Sequence, residues 1–378
     1  MALISLELAS FRSFKTLSFF SIAGTDSGFG AGINVLWGRN GIGKTSVLES
    51  IHLLSLGRSF RCRLMDEAIS WTQKFMHLSA ASGSGSQISV VKQRGQQPEF
   101  RLNGRKIYAA SDLARSLPVE LLHADTLALI DGTPALRRSF MDRALFILFP
   151  DFLKHKKRYD LAMRNRNQLL RNGIADDRLA PWEHQMHQAG TAWHQARMDW
   201  IERYSQSLYD LLDSAGHAWV ASIKSQLELI LEPGWNSSLD LEVALKKSRQ
   251  RDLKLGYSSL GPHRADWNGW VERKPLASFI SRGQRKLLGC FLVFSQSKLL
   301  AEHMKGLSRS GFEYQPLLLL DDVHSELDHR SVATVCSLLQ EHGGQAIMTA
   351  LNPDEFDGYF GSDLPIHKFP LERLVEVA

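Results

Sequence analysis

The chain has 378 residues, 44% hydrophobic and 22% charged, which fits a globular protein of two domains or of one domain carrying an insertion. A formal net charge of +5 and a pI near 9.0 lean toward an anionic partner without naming one. Three widely spaced cysteines, Cys62, Cys290 and Cys336, form no CxxC pair; this argues against a disulfide frame or zinc ribbon and for reduced, packed thiols.

In chain order, no basic region followed by an apolar stretch and a cleavage site opens the sequence. No uncharged run is long enough to span a bilayer, so a cytoplasmic protein without a membrane partner is expected. Residues 3–8 alternate loosely and lead into Phe11-Arg12-Ser13-Phe14, a first strand and its turn. Residues 33–37 read as a short buried strand. Gly38, Arg39, Asn40, Gly41, Ile42, Gly43, Lys44 and Thr45 then satisfy G-x-x-x-x-G-K-[ST] in full. Glycines there let backbone N–H groups wrap phosphates, and the helix spaced through Val47, Leu48, Ile51 and Leu54 presents its positive end to them. Lys44 is expected to bridge the outer phosphates of ATP and Thr45 to ligate Mg²⁺. No N-K-x-D guanine reader accompanies the loop. Residues 83–107, with Asn103-Gly104, predict a hairpin or meander.

From about 142 to 232 the pattern turns helical. A helix over 151–171 ends at Asn172-Gly173. Trp182, Met186, Ala189, Trp193, Ala196, Trp200, Tyr204, Leu208, Leu211, Ala215 and Trp219 continue one apolar stripe. The spacing predicts an antiparallel arm of roughly 55–60 Å at most, too short for a coiled-coil rod. Its tryptophans read as helix-spaced core rather than a stacking platform for bases. His184, His187 and His194 share part of this helix with no cysteine nearby and only Glu183 beside them, which favours no metal site. Strand and turn signals return near 253. The expected organisation is therefore a head split into 1–141 and 251–378, with an arm over 142–250 inserted in it.

Ser281-Arg282-Gly283-Gln284 opens a long apolar-basic helix, and four leucines at 317–320 run into Asp321-Asp322. A fully apolar strand belongs inside a parallel sheet, whose carboxyl end is where such sheets place ligands. Asp321 is expected on the Mg²⁺ side, and Asp322 is expected to orient or deprotonate the attacking water. A glutamate at 322 would reach one bond further, so slow hydrolysis is expected. Ser325-Glu326-Leu327-Asp328 follows directly. With the Ser-x-Gly-Gln helix start, which by itself is also an ordinary N-cap, it completes the ATP-binding-cassette (ABC) pattern. In that pattern the signature helix caps the γ-phosphate held by a second subunit. The expected fold class is α/β: an ABC-type P-loop ATPase head, a mixed sheet with helices, carrying an inserted helical arm.

Six segments carry a resemblance over nearly the whole length. They are FRSF at 11–14, NVLWGRNGIGKTSVLESIHLLSLGRSFR at 34–61, DGTPALRRSFMD at 131–142, GPHRADW at 261–267, SRGQRKLL at 281–288 and LLLLDDVHSELD at 317–328. In these the chain resembles the RecF family of bacterial recombination mediators, within the SMC- and Rad50-like ABC ATPases. The resemblance implies an ATP-dependent dimer that binds double-stranded DNA at single-strand gaps and junctions. Such a protein would work with RecO and RecR to load RecA in replication and recombinational repair, feeding the SOS response. It also implies a weak, DNA-dependent ATPase used as a switch, without nuclease or helicase activity. There are departures: His52 stands where tyrosine is common, His123-Ala124 stands where an acidic or proline-containing turn is common before Asp125, and Thr349-Ala350 leaves no switch histidine. Gln93, Gln96 and Gln97 are candidates for the Q-loop, with none favoured.

DNA contacts are expected from Arg58, Arg61 and Arg63, and from Lys156, Lys157 and Arg158 on a helix that also carries Lys154, Arg164, Arg166 and Arg171. A merely solvated basic face fits that helix equally well. The alternatives are a Rad50- or SMC-like ATPase with another DNA-processing role, against which the arm's length argues, or a transporter-coupling ABC ATPase, which would lack the arm.

Overall fold

A computed structural model describes residues 2–20, 28–83, 85–108, 110–123, 126, 128–307 and 315–377; Ala124 and Asp125 lie outside the described residues. Two compact units divide the chain. One comprises residues 1–126, 214–217 and 281–378, and the other comprises 127–213 and 218–280.

The first unit is built on two sheets. Four leucines in succession, Leu317–Leu320, are all buried, as a strand covered on both faces requires. They lie in a parallel sheet ordered Ile366–Pro370, Ile33–Trp37, Ala346–Ala350, Leu317–Leu320, Val119–Leu122. An antiparallel sheet runs Val375–Val377, Phe14–Phe19, Leu3–Phe11, Phe75–Ser82, Gln87–Gln93, Glu99–Leu102, Arg105–Ile107, so the expected meander is present. The helix Lys44–Leu56 contacts strands of both sheets. Every residue from Ser46 to Ser55 in it is buried, which explains why the segment is apolar on more than one face. Gln345 ties the two sheets together: its amide accepts from Leu3 N at 2.7 Å and donates to Leu3 O at 2.8 Å.

The second unit holds the helices Pro134–Leu148, Phe152–Arg171, Ala180–Ser214, Ala218–Lys224 and Leu241–Leu255. It also holds an antiparallel sheet of Leu227–Glu232, Asp266–Val271 and Lys274–Pro275. The 35-residue helix Ala180–Ser214 is about 52 Å long at 1.5 Å per residue. The predicted apolar stripe does not run unbroken to Trp219, because Gly216 at φ 59° separates that helix from the next. Residues 227–232, expected to be helical, form a strand against Asp266–Val271, where cross-strand pairing outweighs helical spacing. Of the arm's tryptophans, Trp193 and Trp200 are buried core, with Trp200 stacked on Tyr204 at 4.5 Å, whereas Trp182 and Trp219 are half-buried.

The division points expected at 141/142 and 250/251 fall instead at 126/127 and 280/281. The cause is packing that links distant segments within this unit. Arg137 makes a paired ion contact with Asp266 at 2.8 and 2.7 Å, and its carbonyl accepts from the Trp267 indole at 3.0 Å. GPHR is a structural lock here. A Cβ on Gly261 would lie 2.2 Å from the Tyr159 hydroxyl, and His263 joins that hydroxyl to the Ser258 carbonyl at 2.9 and 3.0 Å.

Candidate nucleotide site

The phosphate loop joins the strand Ile33–Trp37 to the helix Lys44–Leu56. Gly38, Gly41 and Gly43 have φ of 150°, 82° and 108°, where a side chain is strained. Gly43 is constrained twice, since a Cβ there would lie 2.3 Å from the Phe14 ring. The FRSF turn thus packs directly on the loop. The Lys44 ammonium donates to the carbonyls of Gly38 at 2.5 Å and Arg39 at 3.1 Å. Burial lowers its pKa, while Asp321 and Glu355 act against that. Arg39 pairs with Glu372 at 2.8 Å, whose carboxylate is held below its ordinary range by that contact.

Parallel pairing places the ends of strands Leu317–Leu320 and Ala346–Ala350 beside the loop. The Thr45 hydroxyl donates to the Asp321 carboxylate, 3.1 and 2.9 Å from its two oxygens. Thr349 donates to Asp321 at 3.0 Å and accepts from the Asp322 backbone N–H at 2.8 Å. Asp322 itself is left-handed, with φ 53°, a costly conformation that those bonds help to hold. Thr45 and Asp321 offer a hydroxyl and a carboxylate, hard oxygen donors that fit Mg²⁺ shared with phosphate oxygens. These groups line a cavity of about 970 Å³ together with Arg12, Asn40, Arg61, Glu67, Trp71, Arg94, Leu351 and Glu355, room enough for a whole nucleotide.

Sequence reasoning did not place Arg12 or Arg61 in this cavity. Both converge on Glu49, a fully buried carboxylate one turn along the phosphate-loop helix. Arg12 Nε donates to it at 2.9 Å, Arg61 lies at 3.4 Å, and the Ser59 hydroxyl also donates to it. The signal was present in FRSF and GRSFR, which read as family marks rather than as one ion-paired wall. Thr349 fills the switch position through its hydroxyl, a role invisible without the sheet register.

Ser281 and Gln284 form a reciprocal capping box on the helix Arg282–Leu307. Ser281 Oγ accepts from Gln284 N at 3.3 Å, and the Gln284 side chain accepts from Ser281 N at 2.9 Å. The hydroxyl proton of Ser281 is not used in that box, so it remains able to donate to an anion. Gly283 lies against the loop carrying the acids, since a Cβ on it would be 3.0 Å from Glu326 O. Lys286 donates to the carbonyl of Asp322 at 2.5 Å and to that of Ser325. Asp328 caps the helix His329–His342, accepting from Ser331 N at 2.8 Å, which holds its carboxyl below the usual range.

The remaining expectations fall elsewhere. Arg58 and Arg63 are exposed. Gln93 lies on the strand Gln87–Gln93 and Gln96 and Gln97 in the segment after it, and none lines the cavity. In the second unit, Lys157 and Arg158 are exposed on the helix Phe152–Arg171. Lys156 is turned over Trp193, 4.3 Å from the ring centroid, and pairs with Asp160 at 3.6 Å. Arg166 leaves the basic face altogether: it is fully buried, between Glu183 at 3.1 Å and Asp252 at 2.8 Å. The fold gives His184 and His187 acidic neighbours, Glu242 at 3.0 Å and Asp240 at 3.3 Å. Among the described residues no group of three or more His, Cys, Asp or Glu could hold a metal. All three cysteines are free, and burial pushes the Cys290 and Cys336 thiols up to about 12. No described helix is long and apolar enough to cross a membrane.

The family model "RecF/RecN/SMC N terminal domain" matches residues 2–359. A curated relative from Pseudomonas paraeruginosa, "DNA replication and repair protein RecF", is 33% identical over 348 residues, 90% of each chain. A solved structure of "the recombination mediator protein RecF-ATP in RecFOR pathway" superposes with a TM-score of 0.80 at 23% identity, covering 100% of this chain and 97% of that one. An SMC head bound to the C-winged helix domain of ScpA gives 0.52 at 16% identity, covering 93% and 90%. Both superpositions speak to the fold: an ABC-type ATPase head.

Proposed function

The chain belongs to the RecF family, within the RecF/RecN/SMC group, and from that premise we propose that it is an ATP-dependent DNA-binding protein of DNA replication and recombinational repair. The observation that carries the reading is convergence in one cavity. Lys44, Thr45, Asp321, Asp322 and Thr349 meet there, while the capped start of the helix Arg282–Leu307 rests on the loop that holds the acids.

In this reading Lys44 and the loop N–H groups would hold the phosphates of ATP, and Thr45 and Asp321 would hold Mg²⁺, which would supply charge neutralisation. Asp322 orients the attacking water. It is one methylene shorter than glutamate, which suits slow turnover and a switch rather than a motor. Ser281 keeps its cap through a lone pair and donates its proton to the γ-phosphate held by a second copy, so ATP joins two heads around DNA. In this reading the dimer works beside RecO, RecR and RecA at gapped DNA, a role supported by a related solved structure described as belonging to the RecFOR pathway.

Sedimentation of wild type and Ser281→Arg with ATP and Mg²⁺, with and without duplex DNA, tests the cross-subunit role. Wild type should dimerise with ATP, and more so with DNA. Ser281→Arg should bind ATP yet remain a monomer. ATP-driven dimerisation that survives Ser281→Arg would overturn the reading.

A further inference from the structure

Trp71 is 97% exposed and lines the same cavity as the phosphate loop. Tryptophan is among the most buried residues on average, and Trp193, Trp200 and Trp267 follow that rule here. An indole left in water forgoes the stabilisation that burial of its apolar surface gives, so this position asks for an occupant.

The backbone beneath the ring is fixed from two sides. Arg94 spends its guanidinium on four carbonyls of the segment, those of Gln73 at 2.9 Å, Asp66 at 3.1 Å, Ile69 at 3.2 Å and Ser70 at 3.0 Å. On the other side Ser70 N donates to Ser10 O at 2.9 Å, and its hydroxyl donates to Arg12 O at 2.8 Å. Gln73 N closes a turn onto Ser70 O at 3.0 Å, which puts Trp71 at the tip of a braced turn. This ring is on a rigid mount.

The cavity walls differ in chemistry. Lys44, Thr45 and the two acids form a wall suited to phosphate and Mg²⁺. Asp66, Glu67, Ile69 and Trp71 contribute carboxylates, an aliphatic surface and an aromatic face, which suit a base and its sugar and would repel a phosphate. Arg12 and Arg94 on that side are already engaged, with Glu49 and with backbone carbonyls. We propose that Trp71 is the stacking platform for the adenine ring of ATP. The proposal rests on the nucleotide reading above and adds the residue that holds the base. Bases gain affinity by stacking on aromatic faces in other nucleic-acid sites, and an offset face-to-face geometry needs only one open face.

Calorimetry on the full chain with Mg²⁺ tests this, comparing ATP with inorganic tripolyphosphate on wild type, Trp71→Ala and Trp71→Phe. Trp71→Ala should weaken ATP about tenfold and leave tripolyphosphate unchanged, while Trp71→Phe should keep most of the ATP affinity. ATP should also quench wild-type tryptophan fluorescence, and that quench should be absent in Trp71→Phe. Unchanged ATP affinity in Trp71→Ala would overturn the proposal, and a loss of DNA affinity in its place would assign the ring to a DNA surface. An equal loss of ATP and tripolyphosphate would also overturn it, by showing a general effect on the loop. Wild type binding neither ligand would instead mark failure of the underlying nucleotide reading.

Discussion

Thr349 holds two acids at once, donating a hydrogen bond to the Asp321 carboxylate and accepting one from the Asp322 backbone N–H. Thr349→Val keeps the shape and removes both bonds. The left-handed turn at Asp322 then loses a tether, so kcat for ATP hydrolysis should fall about tenfold, the effect of about 1.4 kcal/mol on the barrier. Nucleotide affinity, measured by titration, should change little, because Lys44 and the loop glycines are untouched. Equal losses in affinity and kcat would instead place Thr349 among the binding groups. Glu49 shows a different dependence: it is buried yet faces two arginines and a serine. Its position on the helix was visible in the sequence, but the approach of residues 12, 59 and 61 was not.

At the scale of elements, GPHR at 261–264 joins the helix Phe152–Arg171 through His263. The Ser258 carbonyl can only accept, so Nε2 of His263 carries the proton and Nδ1 accepts from Tyr159. Burial first, then Arg264 and Arg138, push this imidazole down to about 4. The unfolded chain takes a proton near pH 6.5, and the folded one resists until about 4. The stabilisation is therefore complete above about pH 6.5 and is lost as pH falls toward 4, on the order of 3 kcal/mol. Urea denaturation of wild type and His263→Gln across pH 4–7.5 checks this. The variant should show the shallower pH dependence, and parallel curves would exclude His263 as the titrating group.

At the scale of the whole molecule, the basic helix is the open part of the DNA reading. Lys154, Lys157, Arg158, Arg164 and Arg171 are exposed along Phe152–Arg171, whereas Lys156 is spent on Trp193 and Asp160. Reversing Lys154, Lys157 and Arg158 to Glu should weaken duplex binding and reduce the slope of log affinity against log salt by about 3. Unchanged affinity and slope would remove this helix from the DNA footprint and leave it a solvated face.

Local chemistry was legible from sequence because it depends on neighbours in the chain. The glycines at 38, 41 and 43, the leucine run before Asp321-Asp322 and the Ser281–Gln284 box each need only a few consecutive residues to define their geometry. The family was legible for the same reason. Tertiary structure alone decided the rest, since it rests on side chains meeting across long stretches of chain. Parallel register set Thr349 beside Asp321, and packing drew Arg12 and Arg61 onto one buried carboxylate. Burial withdrew Arg166 from the basic face, and Arg137 with Asp266 moved the boundary between the two units. An arginine looks the same in sequence whether it binds phosphate or neutralises a buried acid; only the groups folded around it settle which.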